Sequence, residues 1–311
     1  MRSFLFRCGL LGLFALAAAA GVRGAERCAN GPLPERPDTL RILGVGNSFT
    51  DDGMMYLPDL LRAAGIGNVV LGRLYFPGCS LEQHCRFYED DAANYTYYKS
   101  TANAWETVSG RAALTDALED ERWDIVVLQQ ASHFSGLYET YVPWLERLIG
   151  IVLSHNANPA LCLAWQMTWA YAGDSDHWGF AAYGGDGRRM YAAIVGAAGR
   201  MRADRGIDVL IPAGAAVQRA RATVETRRDM TRDGYHLDLG AGRYVAACAW
   251  FEALIAPTLG VSVRGNAFRI PEGGPETTPV DKATARRCWS AAAEAVRNPF
   301  GGTEGAGAIR P

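Results

Sequence analysis

Five short apolar runs alternate with helical patterns along most of this 311-residue chain, and this alternation constrains the fold more than any other feature. Between the runs, apolar residues recur at helical spacing. Continuous apolar strands joined through helices are typical of a parallel sheet that helices cover on both faces. We therefore predict an α/β protein, a three-layer α/β/α sandwich with a five-stranded parallel sheet. The predicted strands are 40–45, 69–75, 124–128, 160–165 and 208–211.

The first residues differ in character from the rest of the chain. Arg2 and Arg7 precede an apolar stretch that ends in small residues, which is the order of a secretory signal peptide, predicted here as 1–24. The apolar stretch is too short to span a bilayer, and no later run is long enough. We therefore expect a secreted or periplasmic protein without a membrane span in its mature form. An uncleaved anchor is the alternative interpretation.

The remaining chain divides into a core, 38–258, and a C-terminal extension, 259–311, in which we predict one helix. The last helix of the core places Tyr244, Cys248 and Phe251 on one apolar face, so it is expected to pack on the sheet. Composition agrees with this organisation, because 49% hydrophobic residues are enough to bury a sizeable core.

Charge and cysteine content exclude several classes of protein. The formal net charge is −2, and no cluster of Lys and Arg interleaves with aromatic residues, so nucleic acid is not an expected partner. No CxxC pair and no zinc-like histidine spacing occurs, so we predict no metal and no cofactor. Removing Cys8 with the signal peptide leaves six cysteines, which permit disulfides without requiring them. Cys162 and Cys248 fit buried thiols better.

A possible nucleophile follows the first predicted strand, in the sequence Gly46-Asn47-Ser48-Phe49-Thr50. Ser48 is expected on a turn at the carboxyl end of the strand, which is where parallel sheets bind their ligands. A plain turn or helix cap is the structural alternative for this Asn-Ser pair. Thr50 replaces the second Gly of the GxSxG pattern, so the nucleophile elbow of α/β-hydrolases is not matched.

A carboxylate and an imidazole three positions apart, Asp233 and His236, precede the last core helix. A bent loop with this spacing brings an Asp oxygen to a ring nitrogen of His, which fixes the tautomer while the other nitrogen takes a serine proton. Roles as a turn residue and a residue at the start of a helix are the alternatives. A doubly wound sheet would bring this loop and Ser48 to the same edge.

Together these motifs resemble the signature blocks of the SGNH hydrolases, also called GDSL esterases and lipases. The resemblance spans about residues 40–254 and is closest to a branch of secreted bacterial proteins with the ordered blocks GNSFT, GCSLE, LQQAS and TRDGYHL, which begin here at Gly46, Gly78, Leu128 and Thr231. It implies the flavodoxin-like SGNH fold, with Ser48 as nucleophile, His236 as general base and Asp233 as its orienting partner.

The chain departs from the family pattern in two places. Asn47 stands where better-known members have Asp, and the Gly-x-Asn-Asp block after the third strand is missing. Gln130 is our candidate for the missing side-chain donor of the oxyanion hole, since related carbohydrate acetylesterases have a Gln there. Gln129 and His133 are its rivals and possible substrate-binding residues. Backbone N–H groups of Ser48 and Gly78 would complete the hole.

Two polar, aromatic stretches, 89–105 and 166–187, are longer than ordinary connections and are expected to be loops that line a site. Trp169 and Trp178 in the second stretch are candidates for stacking on a sugar, with core packing as the alternative. His84, near the second block, is either a structural histidine or a wall of the acyl pocket.

The leading hypothesis is a secreted serine esterase that removes small acyl groups, above all acetyl, from carbohydrate by a metal-free Ser-His-Asp mechanism. Its partner would be a small-molecule or polysaccharide ester. One alternative is a short-chain lipase or esterase with the same three residues. Another is a noncatalytic glycan-binding envelope protein that keeps the fold.

Overall fold

In a computed structural model of the protein, the described residues are 33–301, apart from 35, 102, 103, 206, 208 and 227. The predicted signal peptide, 1–24, and the last part of the extension, 302–311, lie outside them. The strands are β1 (Leu40–Gly46), β2 (Val69–Tyr75), β3 (Tyr95–Ser100), β4 (Glu106–Ala112), β5 (Ile125–Leu128), β6 (Cys162–Gln166) and β7 (Val209–Ile211). The helices are α1 (Ser48–Met54), α2 (Leu57–Ala63), α3 (Leu81–Glu89), α4 (Leu114–Asp120), α5 (Trp144–His155), α6 (Gly187–Arg205), α7 (Ala213–Arg221), α8 (Ala241–Trp250), α9 (Ala256–Leu259) and α10 (Lys282–Arg297). Short 3-10 turns cover Ser132–Phe134, Tyr138–Tyr141 and Trp178–Tyr183, and a π-helical turn covers Phe251–Ile255.

The strands form one mixed sheet in the order β4-β3-β2-β1-β5-β6-β7. The five strands from β2 to β7 in this order are parallel, and they coincide with the five predicted apolar runs. Counted along the chain, these parallel strands lie in the order 2-1-3-4-5, which is a doubly wound arrangement. The carboxyl ends of β1, β2, β5 and β6 therefore meet at one edge of the sheet.

The predicted total of five strands is wrong, because two antiparallel strands extend the sheet beyond β2. Both arise within or just after the stretch 89–105, which the sequence predicts to be a loop. β3 contains three tyrosines and a lysine instead of an aliphatic run, and most of β4 is exposed at the sheet edge. β4 buries little apolar surface because it lies at the sheet edge, and β3 alternates buried residues with half-buried ones, so neither strand shows an unbroken apolar run in the sequence.

Alternate residues of the central strands enter two different apolar cores, which confirms the layered α/β prediction. On β1, Ile42 belongs to the core beneath α1, α2 and α8, whereas Leu43 belongs to the core beneath α3, α4 and α5. The same alternation occurs on β5, with Val127 in the first core and Val126 in the second. Strands buried on both faces need apolar residues at every position, which explains the unbroken runs in the sequence.

The extension after residue 258 shares the first of these cores. Its helix α10 packs against α7 and α8, and Cys288 and Ala292 on its inner face are fully buried. The indole of Trp289 donates a hydrogen bond to the hydroxyl of Tyr244 on α8, at 2.9 Å. The five cysteines that the structure describes are all buried. Among the described helices, none is both long and apolar enough to cross a lipid bilayer.

Candidate active site

Ser48 is the first residue of α1, directly after the turn that ends β1. The turn is tight, since a β-carbon at Gly46 would collide with the side chain of Thr50. Asn47 caps the helix, because its Oδ1 accepts the N–H of Phe49 at 2.9 Å. At the first helical position the N–H of Ser48 has no partner inside the helix. The turn therefore presents both the hydroxyl and the N–H of Ser48 at the carboxyl edge of the sheet.

The structure brings the three predicted catalytic residues together across 188 positions of the chain. The Oγ of Ser48 lies 2.8 Å from Nε2 of His236, and Nδ1 of His236 lies 2.6 Å from Oδ2 of Asp233. Burial opposes ionisation of Asp233, but hydrogen bonds from the His236 ring and from two backbone N–H groups outweigh it and lower the pKa of this carboxyl. An ionised Asp233 holds the proton of His236 on Nδ1 and leaves Nε2 to accept from Ser48.

Besides Asp233, an aspartate on α1 that sequence analysis missed, Asp52, anchors the loop that carries His236. Asp52 is fully buried, and its carboxylate accepts the N–H of Leu237 at 2.9 Å and the guanidinium groups of Arg232 and Arg243 at 2.7–3.2 Å. Because Asp52 lies one helical turn after Ser48, the same turn of α1 fixes both the hydroxyl and the base. The spacing of four residues from Ser48 was the only sequence clue to this role.

The backbone N–H groups that we predict to bind an oxyanion belong to Ser48 and Gly78. Gly78 has a left-handed backbone with a φ of 63°. Its loop is held against the Ser48 turn, because Nδ2 of Asn47 donates to the carbonyl of Cys79 at 2.9 Å. Within the part of the chain that the structure describes, neither N–H donates a hydrogen bond to a protein acceptor. Both donors therefore remain free for a ligand.

Gln130 does not complete this hole, contrary to our prediction. Its side chain is buried, and Nε2 donates to the carbonyl and the hydroxyl of Thr140, each at 3.1 Å. Its Oε1 accepts the N–H groups of Leu81 and Ala131. The amide of Gln130 is thus fully used in holding the start of α3, because its side chain leaves β5 on the face opposite to Ser48.

Gln129, the neighbour of Gln130, leaves the strand on the other face and reaches the Ser48 turn. Its Nε2 donates to Oδ1 of Asn47 at 2.7 Å, and its Oε1 accepts from Gln166, which in turn accepts from the indole of Trp250. These buried side chains form a continuous series of hydrogen bonds across the carboxyl ends of β6, β5 and β1, which we call the amide relay. Sequence analysis missed Gln166, although a polar residue at the end of an apolar strand indicates a place at the carboxyl edge of the sheet. Gln129 therefore contacts the helix cap and not the substrate space.

Two candidates for substrate binding lie inside the protein. His84 is fully buried on α3, with Nδ1 2.8 Å from the hydroxyl of Tyr95, and burial lowers its pKa to about 3. Trp169 is also fully buried and stacks on Phe49 with ring centres 4.3 Å apart. Its indole donates a hydrogen bond to the backbone carbonyl of Tyr235 and so helps to fix the loop that carries His236. Neither ring forms a wall of the site.

The stretch after β6 does supply a polar, aromatic rim. Trp178 is 69% exposed, and its ring centre lies 4.7 Å from that of His133 and 5.6 Å from that of His177. His177, which we had not singled out, contacts Tyr235 with ring centres 4.9 Å apart, and Tyr235 contacts His236 at 4.3 Å. His133, His177 and Trp178 are therefore connected to the catalytic loop through one phenol ring.

Both rim histidines favour the neutral form. Burial, together with the nearby charge of His177, lowers the pKa of His133 to about 4. Burial first, and then the charge of His236, also lowers the pKa of His177. Nδ1 of His177 accepts the N–H of Gly179 at 3.1 Å, so the neutral ring carries its proton on Nε2. Among the described residues, no group of His, Cys, Asp and Glu has the arrangement of a metal site.

A doubly wound α/β sheet with a Ser-His-Asp arrangement at its carboxyl edge has the architecture and side-chain constellation that serine hydrolases use. Residues 41–288 match the family model described as "Domain of unknown function (DUF4886)". This match covers most of the chain, so the protein belongs to the DUF4886 family. No protein with a curated description matches the chain.

A solved structure from the same family agrees with this assignment, and two more distant structures are also similar to the chain. A DUF4886 family protein from Bacteroides uniformis ATCC 8492 is 36% identical, over 85% of this chain and 96% of that chain, with a TM-score of 0.75. A candidate SGNH hydrolase from Slackia heliotrinireducens is 21% identical, over 69% of this chain and 98% of that chain, with a TM-score of 0.44. A catalytic mutant of Axe2, an acetylxylan esterase from Geobacillus stearothermophilus, is 12% identical, over 70% and 95%, with a TM-score of 0.45.

Proposed function

We propose that this protein is an exported serine esterase that removes small acyl groups, above all acetyl, from carbohydrate. The observation that carries the proposal is the hydrogen-bonded series from Ser48 Oγ through His236 to Asp233, with distances of 2.8 and 2.6 Å. A serine hydroxyl becomes a competent nucleophile when a correctly oriented imidazole accepts its proton. Export rests on the predicted signal peptide.

In the first half of the reaction, Oγ of Ser48 attacks the ester carbonyl carbon while Nε2 of His236 takes the hydroxyl proton. The carboxylate of Asp233 stabilises the resulting imidazolium. Negative charge develops on the carbonyl oxygen, and the free N–H groups of Ser48 and Gly78 are the donors to it. Collapse of the tetrahedral intermediate breaks the ester C–O bond, and the sugar hydroxyl leaves with the proton from Nε2.

In the second half, His236 removes a proton from water, whose oxygen attacks the acyl group on Ser48. The second tetrahedral intermediate collapses, releasing the carboxylic acid and returning the proton to Oγ of Ser48. Every proton moves through Nε2 of His236, so the arrangement needs no metal. EDTA is therefore expected to leave the activity unchanged.

The rim of the site supports carbohydrate over lipid as the alcohol part of the ester. Trp178 offers an exposed indole face, on which a sugar ring can stack. His133 and His177 adjoin it, and Tyr235 adjoins His177, so hydrogen-bonding groups that match sugar hydroxyls lie beside the indole. An aliphatic chain would leave these polar groups without partners, which is unfavourable.

The test is release of acetate from a panel of acetylated oligosaccharides, together with p-nitrophenyl esters of increasing acyl length. Wild type is expected to act on acetyl esters and to lose activity as the chain lengthens, whereas Ser48→Ala is inactive. Ser154→Ala serves as the matched control, because its hydroxyl only contacts a backbone carbonyl on α5. Activity no higher than that of Ser48→Ala across the panel would falsify the proposal, and retained glycan binding would then favour the noncatalytic alternative. A preference for long acyl chains would favour the lipase alternative.

A further inference from the structure

A cleft of about 510 Å³ lies between the first half of α10 and the segment 264–269, and four of its seven lining residues are cationic. We call it the basic cleft, and its lining residues are Arg264, Gly265, Arg269, Lys282, Arg286, Trp289 and Ser290. None of the seven is a carboxylate. This is notable in a chain whose formal net charge is −2.

None of the four cations has a carboxylate partner among the residues that the structure describes, and three of them have no ion pair or side-chain hydrogen bond of any kind there. Arg264, Lys282 and Arg286 form no ion pair with any residue that the structure describes. Two acidic residues in neighbouring segments, Glu252 and Asp281, have other partners. Glu252 accepts two hydrogen bonds from the loop before Arg264, and Asp281 accepts a backbone N–H as the cap of α10. The positive charge of the cleft is therefore not neutralised within this part of the protein.

The fourth cation is held in place by the protein itself. The guanidinium of Arg269 donates to the backbone carbonyls of Asn266 and Phe268, at 2.7 and 2.6 Å, and lies 5.3 Å above the ring of Trp289. A guanidinium fixed in this way loses less freedom when it binds an anion. It also covers the indole face, so the cleft offers no stacking surface for a nucleobase.

Lys282 and Arg286 are four residues apart on α10 and therefore lie on the same face of the helix. Like charges at this spacing repel each other and weaken a helix unless a counter-charge lies between them. Both side chains line the basic cleft, and Arg264 and Arg269 line it as well. An anion bound there would relieve the repulsion.

We propose that the basic cleft binds a ligand with several negative charges, of the size of a short acidic oligosaccharide. Four cations around one cavity exceed what a single monovalent anion neutralises, and the volume falls in the range of sites for small organic ligands. Arg side chains pair with carboxylate and phosphate through parallel hydrogen bonds. This site is separate from Ser48, and the proposal does not depend on esterase activity.

Isothermal titration calorimetry on the full-length protein is the direct test, with trigalacturonate as the carboxylate probe, inorganic phosphate as the second probe and a neutral trisaccharide as the blank. Binding of trigalacturonate is expected, and its affinity should fall steeply as salt rises from 50 to 300 mM, because ions screen charges at exposed sites. Phosphate binding with the same dependence on Arg286 would also support the anion site and would identify phosphate groups as its ligand. Binding of neither probe overturns the proposal.

A matched pair of variants separates this cleft from general electrostatic attraction. Arg286→Glu and Arg287→Glu change the net charge equally, at neighbouring exposed positions of α10, but Arg287 faces the groove beside α7 and not the cleft. Arg286→Glu should weaken binding at least tenfold, whereas Arg287→Glu should change it less than twofold. Equal losses in the two variants would show that any cation on α10 suffices and would overturn the site. An unchanged melting temperature in both variants confirms that they fold.

Discussion

The side-chain amide of Gln129 donates a hydrogen bond to Oδ1 of Asn47 at 2.7 Å and thereby connects the end of β5 to the turn of the nucleophile. The same Oδ1 accepts the N–H of Phe49, while Nδ2 of Asn47 donates to the carbonyl of Cys79. Gln129 thus fixes which way the Asn47 amide points. That orientation holds the two backbone segments that supply the N–H groups of Ser48 and Gly78.

Replacing Gln129 by Met is expected to lower kcat about 10- to 100-fold with little change in KM. The variant keeps the volume but removes the donor to Asn47, so the oxyanion donors lose their fixed geometry, and small misplacements at a reacting centre have effects of this size. Steady-state kinetics with p-nitrophenyl acetate measure it. An unchanged kcat would show that Asn47 keeps its orientation without the relay.

Gln130→Met is the matched control, since Gln130 is adjacent, equally buried and of the same type. Its loss leaves the N–H groups of Leu81 and Ala131 without their acceptor, which is expected to cost about 1–3 kcal/mol of unfolding free energy per group. Its kcat should fall less than that of Gln129→Met. The opposite order, with the larger loss of kcat in Gln130→Met, would restore Gln130 as the oxyanion donor.

Gly78→Ala is expected to reduce kcat at least tenfold through its effect on the oxyanion N–H. Gly65→Ala provides the comparison, because both glycines have a left-handed backbone, with φ of 63° and 70°, and open space around the missing β-carbon. Each substitution should therefore destabilise the fold similarly, by about 1 kcal/mol. Chemical denaturation and kinetics together make the test, and equal kinetic effects at both positions would refute a role of Gly78.

Asp52→Asn is expected to lower both stability and kcat/KM. The substitution leaves the guanidinium groups of Arg232 and Arg243 without their buried counter-charge, a loss typically of about 3–5 kcal/mol, and loosens the loop that carries His236. Asp51→Asn, one residue earlier on α1, removes a more exposed partner of Arg73 and should leave kcat/KM nearly unchanged. If the two variants match in kcat/KM at a temperature where both are folded, Asp52 does not position the base.

The buried His84 is expected to make the protein less stable in mild acid. Burial lowers the pKa of His84 to about 3 in the folded state, below the value of about 6.5 in an unfolded chain. Below pH 6.5 the unfolded chain therefore binds one proton more, so stability falls by up to about 1.4 kcal/mol per pH unit until the folded pKa is reached.

Urea unfolding between pH 7 and pH 4.5 measures this slope. His84→Gln, which keeps an acceptor for the hydroxyl of Tyr95, should reduce the slope by about one proton. The control variant is His155→Gln, which replaces a histidine paired with Glu119. This variant should retain most of the slope of stability against pH. An unchanged slope in His84→Gln would mean that His84 takes up its proton in the folded state.

The sequence by itself determined the parallel core and the three residues that meet at its edge. Strands buried on both faces must be apolar throughout, so their runs are visible locally, and polar residues at their carboxyl ends converge in any doubly wound sheet. Ser48, at the end of the first run, and the Asp233–His236 loop, before the last core helix, could therefore be assigned to one site before any coordinates were known.

Only the tertiary structure decided which polar side chains reach that site. Adjacent residues at the end of a strand point to opposite faces, so whether Gln129 or Gln130 approaches Asn47 depends on where β5 stops pairing with its neighbours. The burial of Trp169 and the anchoring role of Asp52 depend on partners that are distant in the chain, Phe49 and Arg232. Such contacts form only when the packed layers bring remote segments together, and no local pattern of hydrophobicity records them.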